Sequence, residues 1–434
     1  MHRFTPWGWL ILLAASPLFI FPIPILTPVL LLAPVLLWLR ARATPFARTP
    51  LDLPILLLSL MLLVSLYATP DLDYSWRKVA GVLLGITTYY LYVHTCRSNK
   101  MWWGGAMLFS ALGAGLAGLG LLGTNWSVKF PALGILLSRL PVQIFNLPGY
   151  ESGYNSNAVA GTLIWLIPLS LATVVLLWQQ PLPTLTTRQR RWLIALLLFT
   201  LIFNLSVFVL AQSRGGYIAL GATLWLMLAL WATRWRRAML VGFVLIALLG
   251  VGWGWHQRMF AMIDTTQTSL PTSAIDPTNL SESLDSRLEV WSRALYAMQD
   301  FPFTGMGMNM FRRIVPILYP LFLISPEVDI AHAHNEFLQV ALDLGIPGLI
   351  AFIAIYLCAG GMLWQLWRQG LTTEDATTPK PSRLLALGLG GSLFAHLLFG
   401  LTDAIALGAR SGIVFWMLLG LIASLYQQRA GQTT

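Results

Sequence analysis

The chain has 434 residues, 57% of them hydrophobic and only 10% charged, whereas soluble domains carry about 25% charge. No soluble fold can bury so many long apolar runs, which excludes a soluble enzyme and points to a polytopic membrane protein. The net charge of +10 suggests nucleic acid only until the charges are placed along the chain, where they become a topology signal.

A span needs about 20 apolar residues. On that measure about twelve are expected, at 7–21, 25–39, 53–68, 79–95, 101–122, 156–178, 191–210, 216–233, 238–255, 346–366, 384–401 and 411–427. The first carries Pro6, Trp7 and Trp9 and lacks a clean small-x-small cleavage site, so it is expected to be retained. Pro22, Pro24 and Pro28 break the region around the first two spans. With the N-terminus inside, the inner loops hold 16 of the 27 Lys and Arg but only 3 of the 17 acids (Asp52, Glu374 and Asp375). That is the positive-inside pattern, and it leaves no need for nucleic acid. The organisation expected is 1–255 as helices one to nine with a smaller outer loop at about 123–155, 256–345 as a large outer loop, and 346–434 as helices ten to twelve with an inner C-terminus. Cys96 falls at a helix end and Cys358 inside a helix, with no disulfide or metal-ligand spacing.

Between the seventh and eighth spans, "SRGGYIAL" places Arg214 in a very short outer turn at the hydrocarbon boundary, where an ionisable group is costly. Gly215 and Gly216 follow, and open backbone N–H groups at a helix start make an anion seat. Arginine adds planar bidentate donation suited to phosphate; an interfacial anchor is the alternative reading.

The large outer loop starts as Ser/Thr/Pro-rich coil. In "DSRLEVWSRALYAMQD", Leu288, Trp291, Leu295 and Met298 recur at helical spacing. This predicts an amphipathic helix on or near the membrane surface, started by Asp285 or Ser286. Arg287 is a second phosphate candidate, with Arg293, Arg312 and Arg313 in the same loop; helix-face ion pairs are the alternative for each.

In "AHAHNEFLQVALDLGIPG", Asn335 is the expected N-cap, Gly345 the stop, and Pro347 suits the first turn of the tenth span. His334 then sits at a helix N-terminus, whose partial positive charge disfavours imidazolium, so a neutral, proton-accepting ring is expected. His332 reads as a solvated or hydrogen-bonded histidine, and no third ligand follows the His-x-His at a usual zinc spacing, so no metal is expected. Asp403, at the outer end of span eleven, reads first as a helix-end cap and second as an acid that orients an arginine or His334.

His334-Asn335, nine residues, then Gly345-Ile346-Pro347-Gly348 resembles the His-[Asn/Ser/Gln]-x9-Gly-x-x-Gly pattern of the O-antigen ligases, related to O-antigen polymerases and bacterial O-linked oligosaccharyltransferases. "SRGGYIAL" resembles the family's Arg-Gly stretch, and "SRLEVWSRALYAMQDFPFTGMGMNMF" its Arg-x3-Trp segment. The close motifs cover roughly 205–350. The resemblance implies an all-α, GT-C-like inverting glycosyltransferase of the bacterial inner membrane, with both termini cytoplasmic and the site periplasmic. Its donor would be a glycan on undecaprenyl diphosphate and its acceptor a sugar of lipid A–core. It implies no cofactor, a monomer surrounded by membrane lipids, His334 near the acceptor hydroxyl, and Arg214 and Arg287 on the diphosphate, supported by Asn335, Arg312 and Asp403.

Overall fold

The apolar runs are helices. A computed structural model describes residues 48–124, 126, 132, 135, 154–179, 186–232, 235–246, 284–324, 329–369, 381–405 and 407–430. The expected spans at 7–21 and 25–39, most of the smaller loop at 123–155, the end of span 238–255 and the Ser/Thr/Pro-rich start of the large loop lie outside the described residues. In chain order the helices are α1 (Asp52–Ala68), α2 (Leu72–Thr95), α3 (Asn99–Gly123), α4 (Ser156–Leu163), α5 (Ile167–Gln179), α6 (Thr187–Leu210), α7 (Arg214–Trp231), α8 (Leu284–Asp300), α9 (Phe311–Leu318), α10 (Glu336–Gln369), α11 (Pro381–Gly400) and, after a 3-10 turn at Arg410–Gly412, α12 (Ile413–Ala430). There is no strand among the described residues.

Among the described residues, five segments are long and apolar enough to cross a membrane: α3, α4 with α5, α6, α10 and α11; α1 is a shorter apolar helix. Their starts carry side-chain caps, Ser98 for α3, Asn155 for α4 and a full Thr186–Gln189 capping box for α6, because the first N–H groups of a helix have no partner within it. Several helices present uncovered apolar faces. On α6, Trp192, Leu196, Phe199 and Ile202 are each more than half exposed at helical spacing. A surface so apolar needs lipid against it, so the chain is a helical membrane protein.

The core lies where α12 packs on α2, α11 on α5 and α10 on α1. Lipid tails are as apolar as leucine, so close fit rather than burial holds such helices together. Gly85 accordingly leaves room for the Trp416 ring, and Gly420 for Tyr92. Trp102 donates its indole N–H to the Leu421 carbonyl at 3.0 Å.

One local expectation changes. Helix α8 starts at Leu284, so Asp285 and Ser286 lie inside it rather than capping it. Its buried face is Ser286, Val290, Ala294 and Ala297, while Leu295 and Tyr296 are exposed. Small residues let α8 approach α10 closely, so this face docks on protein. The expected stop at Gly345 is present: α10 (Glu336–Gln369) is two helical segments that meet at this residue, whose φ of 70° and ψ of 177° are non-helical, with Pro347 in the first turn of the second segment. A Cβ on Gly345 would meet the Phe303 carbonyl oxygen at 2.4 Å, so only glycine fits.

Candidate functional site

The site is built around the turn that leaves α11. Glu336, the first residue of α10, is buried, and its carboxylate accepts the N–H groups of Ile405 at 2.5 Å and Leu407 at 3.3 Å. Asn335 caps α10, its Oδ1 accepting from the N–H groups of Phe337 and Leu338, while its Nδ2 donates to the Leu401 carbonyl at 3.2 Å. These bonds tie the start of α10 to Leu401, Ile405 and Leu407.

Three further elements meet this turn. From α8, Arg287 donates to the Thr402 carbonyl at 3.0 Å. From α7, Gly215 lies so close that a Cβ would meet Thr402 Oγ1 at 2.4 Å. Arg214, exposed, heads α7 directly before that glycine. Ser213 caps α7 by accepting the Gly216 N–H at 3.3 Å, so an anion seated here would meet the N–H groups of Arg214 and Gly215 rather than both glycines.

Asp403 is the centre of charge. Its Oδ1 accepts the Ala404 N–H at 2.9 Å, a bond within the loop rather than a cap of α11. The same oxygen lies 3.5 Å from His332 Nε2 and 3.7 Å from His334 Nδ1. His332 is a member of the site rather than a solvated bystander: its Nδ1 accepts the His334 backbone N–H at 3.2 Å, and the two rings lie 4.5 Å apart.

Burial pushes the His332 imidazole down to about 4, against the pull of the Asp403 carboxylate. His332 is therefore neutral at pH 7, and because its Nδ1 is an acceptor, its proton sits on Nε2, facing Asp403. Burial alone would push the Asp403 carboxyl up; the facing imidazoles of His334 and His332 and the Ala404 N–H more than offset this and hold it at about 2. An ionised Asp403 favours a proton on His334 Nδ1, which leaves the Nε2 lone pair as the proton acceptor. Arg287 Nε is buried without a hydrogen-bond partner among the described residues, which is where a bound group would be expected to supply one. His334 has a φ of 49°, in the left-handed region, and so does Gln212, two residues before Arg214. Such backbone costs on the order of 1–3 kcal/mol per residue and clusters at functional sites.

Tertiary structure supplies the third ligand that sequence spacing lacked. One donor atom each from His332, His334 and Asp403 lie within 4.8 Å of one another. The hydrogen bond at His332 Nδ1 keeps a proton on Nε2, so this ring ligates a metal only by giving that bond up. Arg312 is engaged elsewhere, with Asp329 at 2.7 Å and the Tyr74 hydroxyl at 3.1 Å, although its charge still acts on His332.

Residues 195–353 match the family profile described as O-antigen ligase. This stretch, little more than a third of the chain, resembles the O-antigen ligases. The match runs from α6 into α10 and so includes Arg214, Arg287 and His334, whereas Asp403 lies beyond it. No curated protein sequence matches the chain.

Sequence reasoning missed Glu336 and the role of Asp343. Asp343 accepts from the Asn309 N–H at 3.0 Å and from Gln339 Nε2 at 2.9 Å, and faces Lys78 at 3.7 Å. It joins α2 and the 301–310 turn to α10. A buried acid at Asp343, seven residues after Glu336 on one helix, was the available signal.

Proposed function

We propose that this protein is an O-antigen ligase. It moves a glycan from undecaprenyl diphosphate to a sugar hydroxyl of lipid A–core at the periplasmic face of the inner membrane. The observation that carries this reading is the convergence on Leu401–Asp403 of Gly215 beside Arg214, of Arg287 and of the His334–Asn335 pair. The Arg287 guanidinium, the start of α7 and the His334 imidazole around one turn support this reading.

In the proposed reaction the acceptor oxygen attacks the anomeric carbon from the face opposite the diphosphate. The new C–O bond forms as the bond to the diphosphate oxygen breaks, which inverts the anomeric centre. The acceptor proton passes to His334 Nε2; general-base help of this kind is typically worth about 10²–10⁴-fold. The electron pair leaves on the diphosphate, where Arg214, Arg287 and the N–H groups at the start of α7 neutralise the growing charge. Asp403 and His332 orient the base, Asn335 fixes the helix start beneath it, and Arg312 adds positive potential. No step calls on a metal. The basic inner loops support cytoplasmic termini and a periplasmic 256–345 loop, and the enzyme acts as a monomer.

The test uses purified protein, undecaprenyl-diphosphate glycan and lipid A–core, with EDTA present. Product that forms under these conditions and is lost in His334→Ala supports the reading; full activity in that variant removes His334 from the chemistry. A growing glycan or a protein hydroxyl as acceptor would make the enzyme a polymerase or a protein O-oligosaccharyltransferase using the same site, and transfer to those acceptors in place of lipid A–core would establish it. A transporter reading is weaker. His396, the ionisable residue inside span eleven, hydrogen-bonds the Tyr356 hydroxyl at 2.6 Å and stacks on Trp165 at 4.2 Å, packed among aromatics.

A further inference from the structure

On the loop side of the bundle, five large apolar side chains take no part in the site. Phe303 is 74% exposed, Ile317 78%, Leu318 54%, Phe322 80% and Leu323 54%. They are held outward by specific bonds. The Glu289 carboxylate accepts the N–H groups of Phe322 at 2.6 Å and Leu323 at 2.9 Å. Arg293 donates to the Pro320 carbonyl at 3.0 Å and lies over the Phe322 ring at 5.3 Å. Helix α9 buries Phe311 and Val315, which leaves Ile317 and Leu318 facing out. A patch of this kind on a fixed backbone marks an interaction surface.

Its neighbours say what covers it. Leu53, Leu56, Leu60, Leu63 and Tyr67 form an uncovered stripe along α1, and Ile346, Ile350, Ile353, Leu357 and Trp364 form another along α10; the two helices pack side by side. Both stripes run into the patch. The α1 end (Ala68, Pro70) lines one cleft of about 980 Å³ with Ile314, Ile317 and Leu318. The α10 stripe starts at Ile346, whose N–H is bonded to the Pro302 carbonyl at 2.7 Å, next to Phe303. At the rim of the cleft the character turns polar, with Arg313 paired to Asp71 at 3.3 Å. Apolar residues below and a charged edge above match the boundary between acyl chains and headgroups.

We propose that Phe303, Ile317, Leu318, Phe322 and Leu323 form a membrane foot, inserted into the adjacent lipid leaflet as a continuation of the lipid-facing stripes of α1 and α10. The foot fixes the height of α8 and α9 above the bilayer, and through the Arg287–Thr402 bond the height of the candidate site. This inference needs the membrane, not the transfer reaction, and stands or falls separately from it.

The test labels Ile317→Cys and Phe322→Cys in the full chain with an environment-sensitive thiol fluorophore, after reconstitution in phosphatidylcholine–phosphatidylglycerol vesicles. Unsubstituted protein gives the background from Cys96 and Cys358, and Asp329→Cys is the water-facing control, its side chain being 63% exposed. Lipids spin-labelled high on the acyl chain should remove most of the emission at 317 and 322, and aqueous iodide little, with the reverse at 329. Iodide quenching at 317 and 322 equal to that at 329 overturns the proposal. Quenching by neither agent also overturns it, because the patch is then covered by protein. The replaced side chains are more than half exposed, so both variants should keep the thermal midpoint of the parent.

Discussion

Replacing Asp403 by Asn tests the charge arrangement of the site without removing the acceptor for the Ala404 N–H. The carboxyl is held at about 2 instead of its ordinary 3.8. At ~1.4 kcal/mol per tenfold change, that difference is ~2 kcal/mol of stability carried by the ionised form. The folded state holds the proton less tightly than the unfolded chain does. The contribution is therefore complete above pH 4, shrinks as pH falls through about 2, and is absent in the Asn variant throughout. Thermal unfolding of purified protein in detergent should show Asp403→Asn melting roughly 2–5 °C below the parent at pH 7. The gap should persist to about pH 4 and close below it. His332 adds a separate slope shared by both proteins: its folded value is depressed to about 4, so stability falls as pH drops from ~6.5 toward 4. Under the proposed mechanism, transfer in Asp403→Asn falls on the order of 10²-fold, because His334 loses the carboxylate that sets its tautomer. A variant with an unchanged midpoint and unchanged transfer at pH 7 would refute both the electrostatic and the positioning argument.

The other expectations follow from the same turn and its supports. Gly345→Ala forces a side chain into the left-handed region and against the Phe303 carbonyl, costing ~2 kcal/mol or more; a thermal midpoint equal to the parent's would contradict it. Gly215→Ala displaces Thr402 and with it the Arg287 anchor, lowering transfer about tenfold, a change of ~1.4 kcal/mol, and adding Thr402→Ala should restore most of the loss by reopening the space. Glu336→Gln weakens two charge-assisted bonds to the Ile405 and Leu407 N–H groups, by ~1–2 kcal/mol in total. Faster amide hydrogen exchange confined to 401–407 is the readout, and protection equal to the parent's would show that the carboxylate does not hold the turn.

What could be read from the sequence was what a few adjacent residues decide. The Asn335 cap, the Gly345 break with Pro347 behind it, and Arg214 at the start of α7 each depend on local backbone chemistry. The described helices from 52 to 231 and from 336 to 430 likewise follow the apolar runs. What could not be read was set by approach in space. Asp403 meets both histidines from beyond the far end of α11, 69 residues after His334; with no spacing rule to link them, the sequence offered this only as a second reading. The spacing of Leu288, Trp291, Leu295 and Met298 reads α8 as amphipathic; Trp291 and Met298 do pack on the core, but the closest packing runs through smaller residues. Where helices approach closely the small ones do the packing, so Val290, Ala294 and Ala297 are buried while Leu295 is not.

The pairing of two histidines with one aspartate has a physical reason beyond catalysis. A buried carboxylate without partners would take up a proton, because leaving the charge unpaired costs several kcal/mol. A neutral Asp403 could no longer impose a tautomer on His334. His332 prevents this at low electrostatic cost. Neutral itself, it turns its Nε2 proton to Asp403 while its Nδ1 takes the His334 backbone N–H, which also fixes the left-handed turn at His334. One ring thus serves the ionisation of the acid and the backbone of the base. The His-x-His spacing fits that double service: the ring two residues before His334 can reach its N–H and the carboxylate together. His332→Gln should separate the two functions. An amide can still donate to Asp403 but is not held by the same ring geometry, so the Asp403 carboxyl should stay ionised at pH 7 while the orientation of His334 is lost. Transfer should then fall while the midpoint gap to Asp403→Asn at pH 7 is retained. Loss of that gap would show that His332 acts on Asp403 alone and not on the backbone of His334.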